Sequence, residues 1–164
     1  MIDRQLQITP HFRLGELVKD PAVLDLPVEV ITNLQRACIL VEAIRFHLGL
    51  PVVVHSSYRS PQKNDTVGGV HESDHLTGSA IDFHVVAGHG MTWESNTKEA
   101  FQYARAKLAG KFGQLILEDH RATLADPEAL WVHISIPTGK HPGFGDRSAV
   151  LLSPAPGKYE APSA

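Results

Sequence analysis

Cysteine is nearly missing from this chain: Cys38 is the only one in 164 residues. No internal disulfide can form, so the fold does not depend on an oxidising compartment. Long apolar runs are missing too, and no stretch approaches the roughly 20 apolar residues of a membrane-spanning helix. The amino-terminal segment MIDRQLQITPHFRLGEL has no basic stretch followed by an apolar one. The expectation is therefore no signal peptide and no membrane partner. Neither sign of charge prevails, because 15 Lys and Arg face 18 Asp and Glu, for a formal net charge of −3. The basic stripe of a nucleic-acid binder is not evident, and no nucleic-acid partner is expected.

What is present suits an ordinary globular domain. The hydrophobic fraction is 43% and the charged fraction 20%, close to average usage. A chain of this length buries roughly 68–70% of the surface it exposes when unfolded. It needs no metal to hold it together, so a metal would serve chemistry. The expected organisation is one domain over residues 1–152, then a flexible Pro- and Ala-rich tail over residues 153–164, and a monomer.

Hydrophobic spacing outlines the elements. Residues 1–27 read as irregular. A helix is expected from Val28 to Leu48, opened by Pro27 and stopped by Gly49. Ile31, Leu34, Cys38, Val41, Ile44 and Leu48 make its apolar stripe, which places Cys38 in the core. PVVVH, residues 51–55, reads as a buried strand. A loop rich in Ser, Pro, Asn and Gly runs from Ser56 to Gly78, and long loops of this kind are often functional. Strand character returns over Ser79–Val86. A second helix is expected from Asn96 to Ala109, with Asn96 and Glu99 as a capping box. Strands are expected at Gln114–Glu118 and Leu130–Ile136, with a short last one at Ala149–Leu152. The link between Glu118 and Leu130 is too short for a crossover helix, so those two strands should be antiparallel. The expected class is α+β, with helices packed on a mostly antiparallel sheet.

Ten histidines prove nothing by number; their placement is what matters. His75 and Asp82 lie seven positions apart in the loop-to-strand stretch, and His133 lies in WVHIS. Two imidazoles and a carboxylate are a usual protein set for catalytic zinc, with a fourth position open to water. Glu118 ends a strand expected beside that of His133, where its carboxylate can serve as the base. Arg59 is the candidate cation for an oxyanion or a substrate carboxylate. Spacing alone leaves the metal reading open, since a His and an Asp seven apart are common.

The segments SSYRSP, VGGVHESDHLTGSAIDF, QLILE and WVHIS, in that order, resemble the motifs of the zinc D-Ala-D-Ala carboxypeptidase family. That family includes carboxypeptidases, dipeptidases and phage endopeptidases that cut peptidoglycan stem peptides, and it shares its fold with the hedgehog signalling domain. Its pattern is S-x-Y-R, then S-x-H-x-x-G-x-A-x-D, then a late W-V-H. Here these read Ser56-Ser57-Tyr58-Arg59, Ser73 through Asp82, and Trp131-Val132-His133. The resemblance spans about Phe12 to Ile136. It implies a hedgehog/DD-peptidase-like fold and one zinc ion held by His75, Asp82 and His133. It also implies Arg59 against substrate or oxyanion, Glu118 as catalytic carboxylate, and a peptidoglycan peptide as substrate. Manganese or cobalt can occupy such a ligand set in vitro.

One departure stands out. Some branches of the family carry the acid three residues before the last histidine, and that position here is Leu130. If Glu118 is not the base, Glu128 or Asp119 must serve, or the domain is a catalytically inactive zinc-binding structural or wall-binding module. His120 is a further candidate at the oxyanion, Ser73 supports the loop, and Tyr58 and Trp131 are packing residues or substrate platforms. His84 shares a strand face with Asp82, while His71 and Asp74 read as solvated loop residues. A small domain without its own export signal would act at the cell wall or periplasm after release by other factors, or as part of a virion.

Overall fold

The computed structural model describes residues 1–139 and 150–162. The chain opens with a two-stranded hairpin, β1 (Gln7–Thr9) and β2 (Phe12–Arg13), and a single helical turn, α1 (Leu14–Leu17). Helix α2 then runs over Val28–Leu48, with the bounds that Pro27 and Gly49 mark in the sequence. Strand β3 (Val52–Ser56) follows, then α3 (Pro61–Thr66) and a 3₁₀ turn (Asp74–Thr77) inside the long loop. Next come β4 (Ala80–Val85), α4 (Trp93–Lys107), β5 (Leu115–Asp119), α5 (Arg121–Leu124) and β6 (Leu130–Ser135). Strands β7 (Val150–Ala155) and β8 (Lys158–Glu160) complete the described chain.

Six strands form the main sheet in the order β3-β4-β6-β5-β7-β8. All neighbours are antiparallel except β5 and β7. The class is α+β, as expected. Among the described residues, no helix is long and apolar enough to cross a membrane.

Side chains alternate across a strand, so each strand divides its residues between two faces. Ile81, Phe83, Leu115, Val132 and Ile134 all point to one face and are fully buried. Helices α2 and α4 pack on that face, with Leu34, Cys38, Val41, Ile44, Phe101 and Ala104 at zero exposure. Each large apolar side chain removed from water in this layer is worth about 1.5–3 kcal/mol. The other face of the same strands carries the polar residues described below.

Four expectations need correction. PVVVH is a half-exposed edge strand rather than a buried one: Val54 is 5% exposed but Val53 is 42% exposed, because β3 has a neighbour on one side only and its outer face lies open. Helix α4 begins at Trp93 and is capped by Thr92, whose hydroxyl accepts from the Ser95 amide. Asn96 is not the cap, because its amide nitrogen donates to the Val86 carbonyl at 2.9 Å. Residues 1–27 are not irregular throughout, since β1, β2 and α1 lie there.

The fourth correction concerns the carboxy-terminal residues. Ser153 to Glu160 belong to the sheet instead of a flexible tail. Pro156 and Gly157, with φ of +72° at Gly157, suit a tight turn that sends the chain back as β8. Pro154 falls where the β7–β8 register shifts, so its missing N–H costs no regular ladder bond. Ala149, expected to open the last strand, and residues 163–164 lie outside the described residues.

Candidate metal centre and catalytic cleft

Register places the candidate residues side by side. Asp82 on β4 is directly opposite His133 on β6, and His133 is opposite Ile116 on β5. Glu118 lies two residues beyond Ile116 on the same face, paired with Trp131. Asp82 and His133 are thus cross-strand neighbours, and Glu118 overhangs them from the next strand. Asp82 and His133 are both buried, although they lie on the face away from the helices.

His75 arrives from the 3₁₀ turn. The Ser73 hydroxyl accepts from the His75 amide at 3.3 Å and caps that turn. Gly78 ends it at φ +71°. A Cβ there would lie 3.0 Å from the Val30 carbonyl oxygen and 3.1 Å from the Leu34 side chain, so glycine is needed for the loop to press on α2. Nδ1 of His75 is 2.7 Å from the Ser57 carbonyl. That carbonyl can only accept, so Nδ1 carries the proton and Nε2 is left with its lone pair. Nε2 sits 3.1 Å from Oδ2 of Asp82.

Asp82 is the hub. Its Oδ1 is 2.7 Å from Nδ1 of His133, and Arg59 Nη2 donates to its Oδ2 at 2.8 Å. Burial by itself would raise the carboxyl's pKa, but His75 and the hydrogen bond from His133 outweigh it and hold Asp82 well below the usual carboxylate range. Burial lowers His133, but its hydrogen bond with Asp82 and the charges of Asp82, Glu118 and Asp74 together outweigh that, so the net direction is up. One ligating atom from each of His75, Asp82 and His133 lies within 4.8 Å of the others.

A family model described as Peptidase M15 matches residues 10–121. The chain belongs to the peptidase M15 family. No curated protein matches it. The M15 family is zinc-dependent, and the mixed, mostly antiparallel sheet with its helices fits the hedgehog/DD-peptidase-like fold. Trp131 and His133 lie beyond the matched span, so their place in the site rests on the geometry of β6.

The residues present fit zinc. The donor set of two imidazoles and one carboxylate is right for it, and the Ser57 carbonyl fixes the tautomer of His75 as an outer partner should. Nε2 of His133 is buried without a hydrogen-bond partner among the described residues. A buried ring nitrogen without a partner is costly in a site that holds only protein groups.

A cleft of about 520 Å³ opens over these three residues. Arg59, Gln114, Glu118, His120 and Trp131 line it, with Ser73, Asp74 and Tyr159. Burial, followed by the charge of Asp82, raises the Glu118 carboxyl above its ordinary value. His120 is buried, and its Nε2 is 3.0 Å from the Ser153 hydroxyl and 3.5 Å from Oε2 of Glu118. Desolvation lowers the His120 pKa. Arg59 spends Nε on the Ser56 hydroxyl at 2.8 Å and Nη2 on Asp82.

The other candidate bases face elsewhere. Asp119 is gripped by Arg121 through two 2.7 Å hydrogen bonds and, one residue after Glu118, points to the opposite face. Glu128 is exposed in the loop before β6 and does not line the cleft. Leu130 is fully buried. A residue three before His133 on a regular strand falls on the helix-side face, so the position occupied by Leu130 does not reach this cleft.

Three further residues do not line this cleft. Tyr58 packs against the core and lies away from the cleft. His71 is exposed and does not line it. His84 is on the site face but pairs with His55, at 2.6 Å between Nε2 of His55 and Nδ1 of His84. Two contributors escaped the sequence reading. The Ser57 carbonyl is backbone and leaves no residue-type signal, and Tyr159 sits in a segment whose Pro and Ala content hides the strand.

Proposed function

We propose that this protein is a zinc metallopeptidase that hydrolyses a peptide bond in peptidoglycan stem peptides or cross-links. The observation that carries the reading is the convergence of His75, Asp82 and His133 beneath a cleft that also holds Glu118. Zinc bound there supplies a Lewis acid and makes water acidic enough to react near neutral pH. Glu118 takes the proton from the attacking water and returns it to the leaving amine nitrogen. Its raised pKa suits that exchange. Arg59, with Nε and Nη2 engaged, presents its remaining N–H groups to a substrate carboxylate or the developing oxyanion. His120 steadies Glu118 from the side. The site of action is the cell wall or periplasm, reached after release by other factors or as part of a virion.

The alternative of an inactive zinc-binding module drew on Leu130. That residue faces the core, so it no longer favours inactivity. Purified muropeptides incubated with the zinc-loaded protein and analysed by mass spectrometry test the proposal. The parent should cleave a stem or cross-link peptide bond. Glu118→Gln should retain zinc and lose about 10²- to 10⁴-fold in kcat. A zinc-loaded parent that cleaves no muropeptide points to the binding module instead.

A further inference from the structure

The carboxy-terminal hairpin lies outside the span matched by the family model, which ends at residue 121, yet it borders the cleft. Strand β7 runs parallel to β5 with Ser153 beside Glu118. The Ser153 hydroxyl donates to the Ala155 carbonyl at 3.1 Å. Its hydrogen is thereby used, so it accepts from Nε2 of His120 at 3.0 Å. That bond ties β7 to the histidine that flanks Glu118, which anchors the hairpin against the site.

Alternation then decides which hairpin side chain faces the cleft. Glu160 is opposite Leu152, and Leu152 is opposite Leu117, so Glu160 falls on the helix-side face. Tyr159, one residue earlier, falls on the face of Ser153 and Glu118. Pro156, Gly157 and Tyr159 line the same cleft as the candidate zinc ligands. Strand β8 is two strands beyond β5, about 10 Å away at ordinary spacing, and a tyrosine side chain spans much of that gap. Arg59 enters the cleft from the opposite side, after β3. The five groups therefore lie across the sheet in the order Arg59, Asp82, His133, Glu118, Tyr159.

We infer that the carboxy-terminal hairpin is a substrate-binding wall of the cleft, and that Tyr159 donates a hydrogen bond from its phenol to an extended peptide bound across the strands. Tyr159 is 54% exposed and lines the cleft, so the residue is open to a ligand there. Burial, then the charges of Glu118 and Asp82, raises the phenol's pKa and keeps it a donor. A peptide lying across the strands would be held by the Arg59 guanidinium at one end and the Tyr159 hydroxyl at the other. The inference rests on the peptidase reading.

The test compares zinc-loaded parent, Tyr159→Phe and Tyr159→Ala, with muropeptide binding measured by calorimetry and cleavage by mass spectrometry. Tyr159→Phe removes only the hydroxyl and should weaken binding, or raise KM, by roughly threefold to tenfold. Tyr159→Ala removes the ring as well and should weaken it further, with zinc content unchanged in both. Parent-like binding and kcat/KM in Tyr159→Ala overturns the inference while leaving the peptidase reading intact. A parent that neither binds nor cleaves muropeptides overturns both. A parent that binds without cleaving overturns the peptidase reading alone, and the binding comparison still decides the role of Tyr159.

Discussion

The two faces of one sheet behave as different materials. On β4, β5 and β6 the odd and even residues part company: Ile81, Phe83, Leu115, Val132 and Ile134 go under the helices, while Asp82, Glu118, Trp131 and His133 go the other way. The first set is apolar and interchangeable in kind. The second set draws the titratable side chains of Asp82, Glu118 and His133 together beside Trp131, an arrangement retained for chemistry. A single backbone ladder serves both, so the rigidity that the core face gives the strands is also what holds Asp82 and His133 in register.

That contrast can be broken from either side. Phe83→Ala on the helix-side face should cost about 3–5 kcal/mol of stability, read as a fall in the denaturant midpoint. The fraction that stays folded should keep its zinc. Loss of zinc without loss of stability would mean that the two faces are not separable in this way.

A smaller effect is expected from Glu118 in the metal-free protein. An acid whose folded-state pKa is raised holds its proton more tightly when folded, so its ionisation costs stability. That cost sets in as pH rises above the unfolded value of about 4.3 and is complete above the raised folded value. With zinc removed, Glu118→Gln should melt above the parent at pH 7, and the gap should close as pH falls towards 4. A variant that melts below the parent at pH 7 would show that Glu118 is stabilised in place rather than strained.

Legibility in the sequence follows the range of the interaction. Helix α2 was readable because Pro27, Gly49 and the stripe from Ile31 to Leu48 are local signals. The polar site was readable through the resemblance of SSYRSP, VGGVHESDHLTGSAIDF, QLILE and WVHIS, taken in order, to the family's motifs, since the spacing of His75 and Asp82 alone leaves a metal reading open. What could not be read is set by pairing at a distance. The parallel register of β7 on β5 has no local signature, and neither does the role of the Ser57 carbonyl. The strand at Ser153–Ala155 is masked by Pro154 and Pro156, which local reasoning takes as punctuation. Thr92 and Asn96 are both good cap residues, and the bond from Asn96 to the Val86 carbonyl tells them apart.

The most direct test of the account is zinc content by mass spectrometry for the parent and for His133→Ala, the ligand candidate beyond the span of the family model. About one zinc per chain in the parent, lost in a variant that still folds, is the predicted result. A parent that binds no zinc when it is supplied, or a His133→Ala protein that keeps its full complement, would contradict the metal centre on which the proposed chemistry depends.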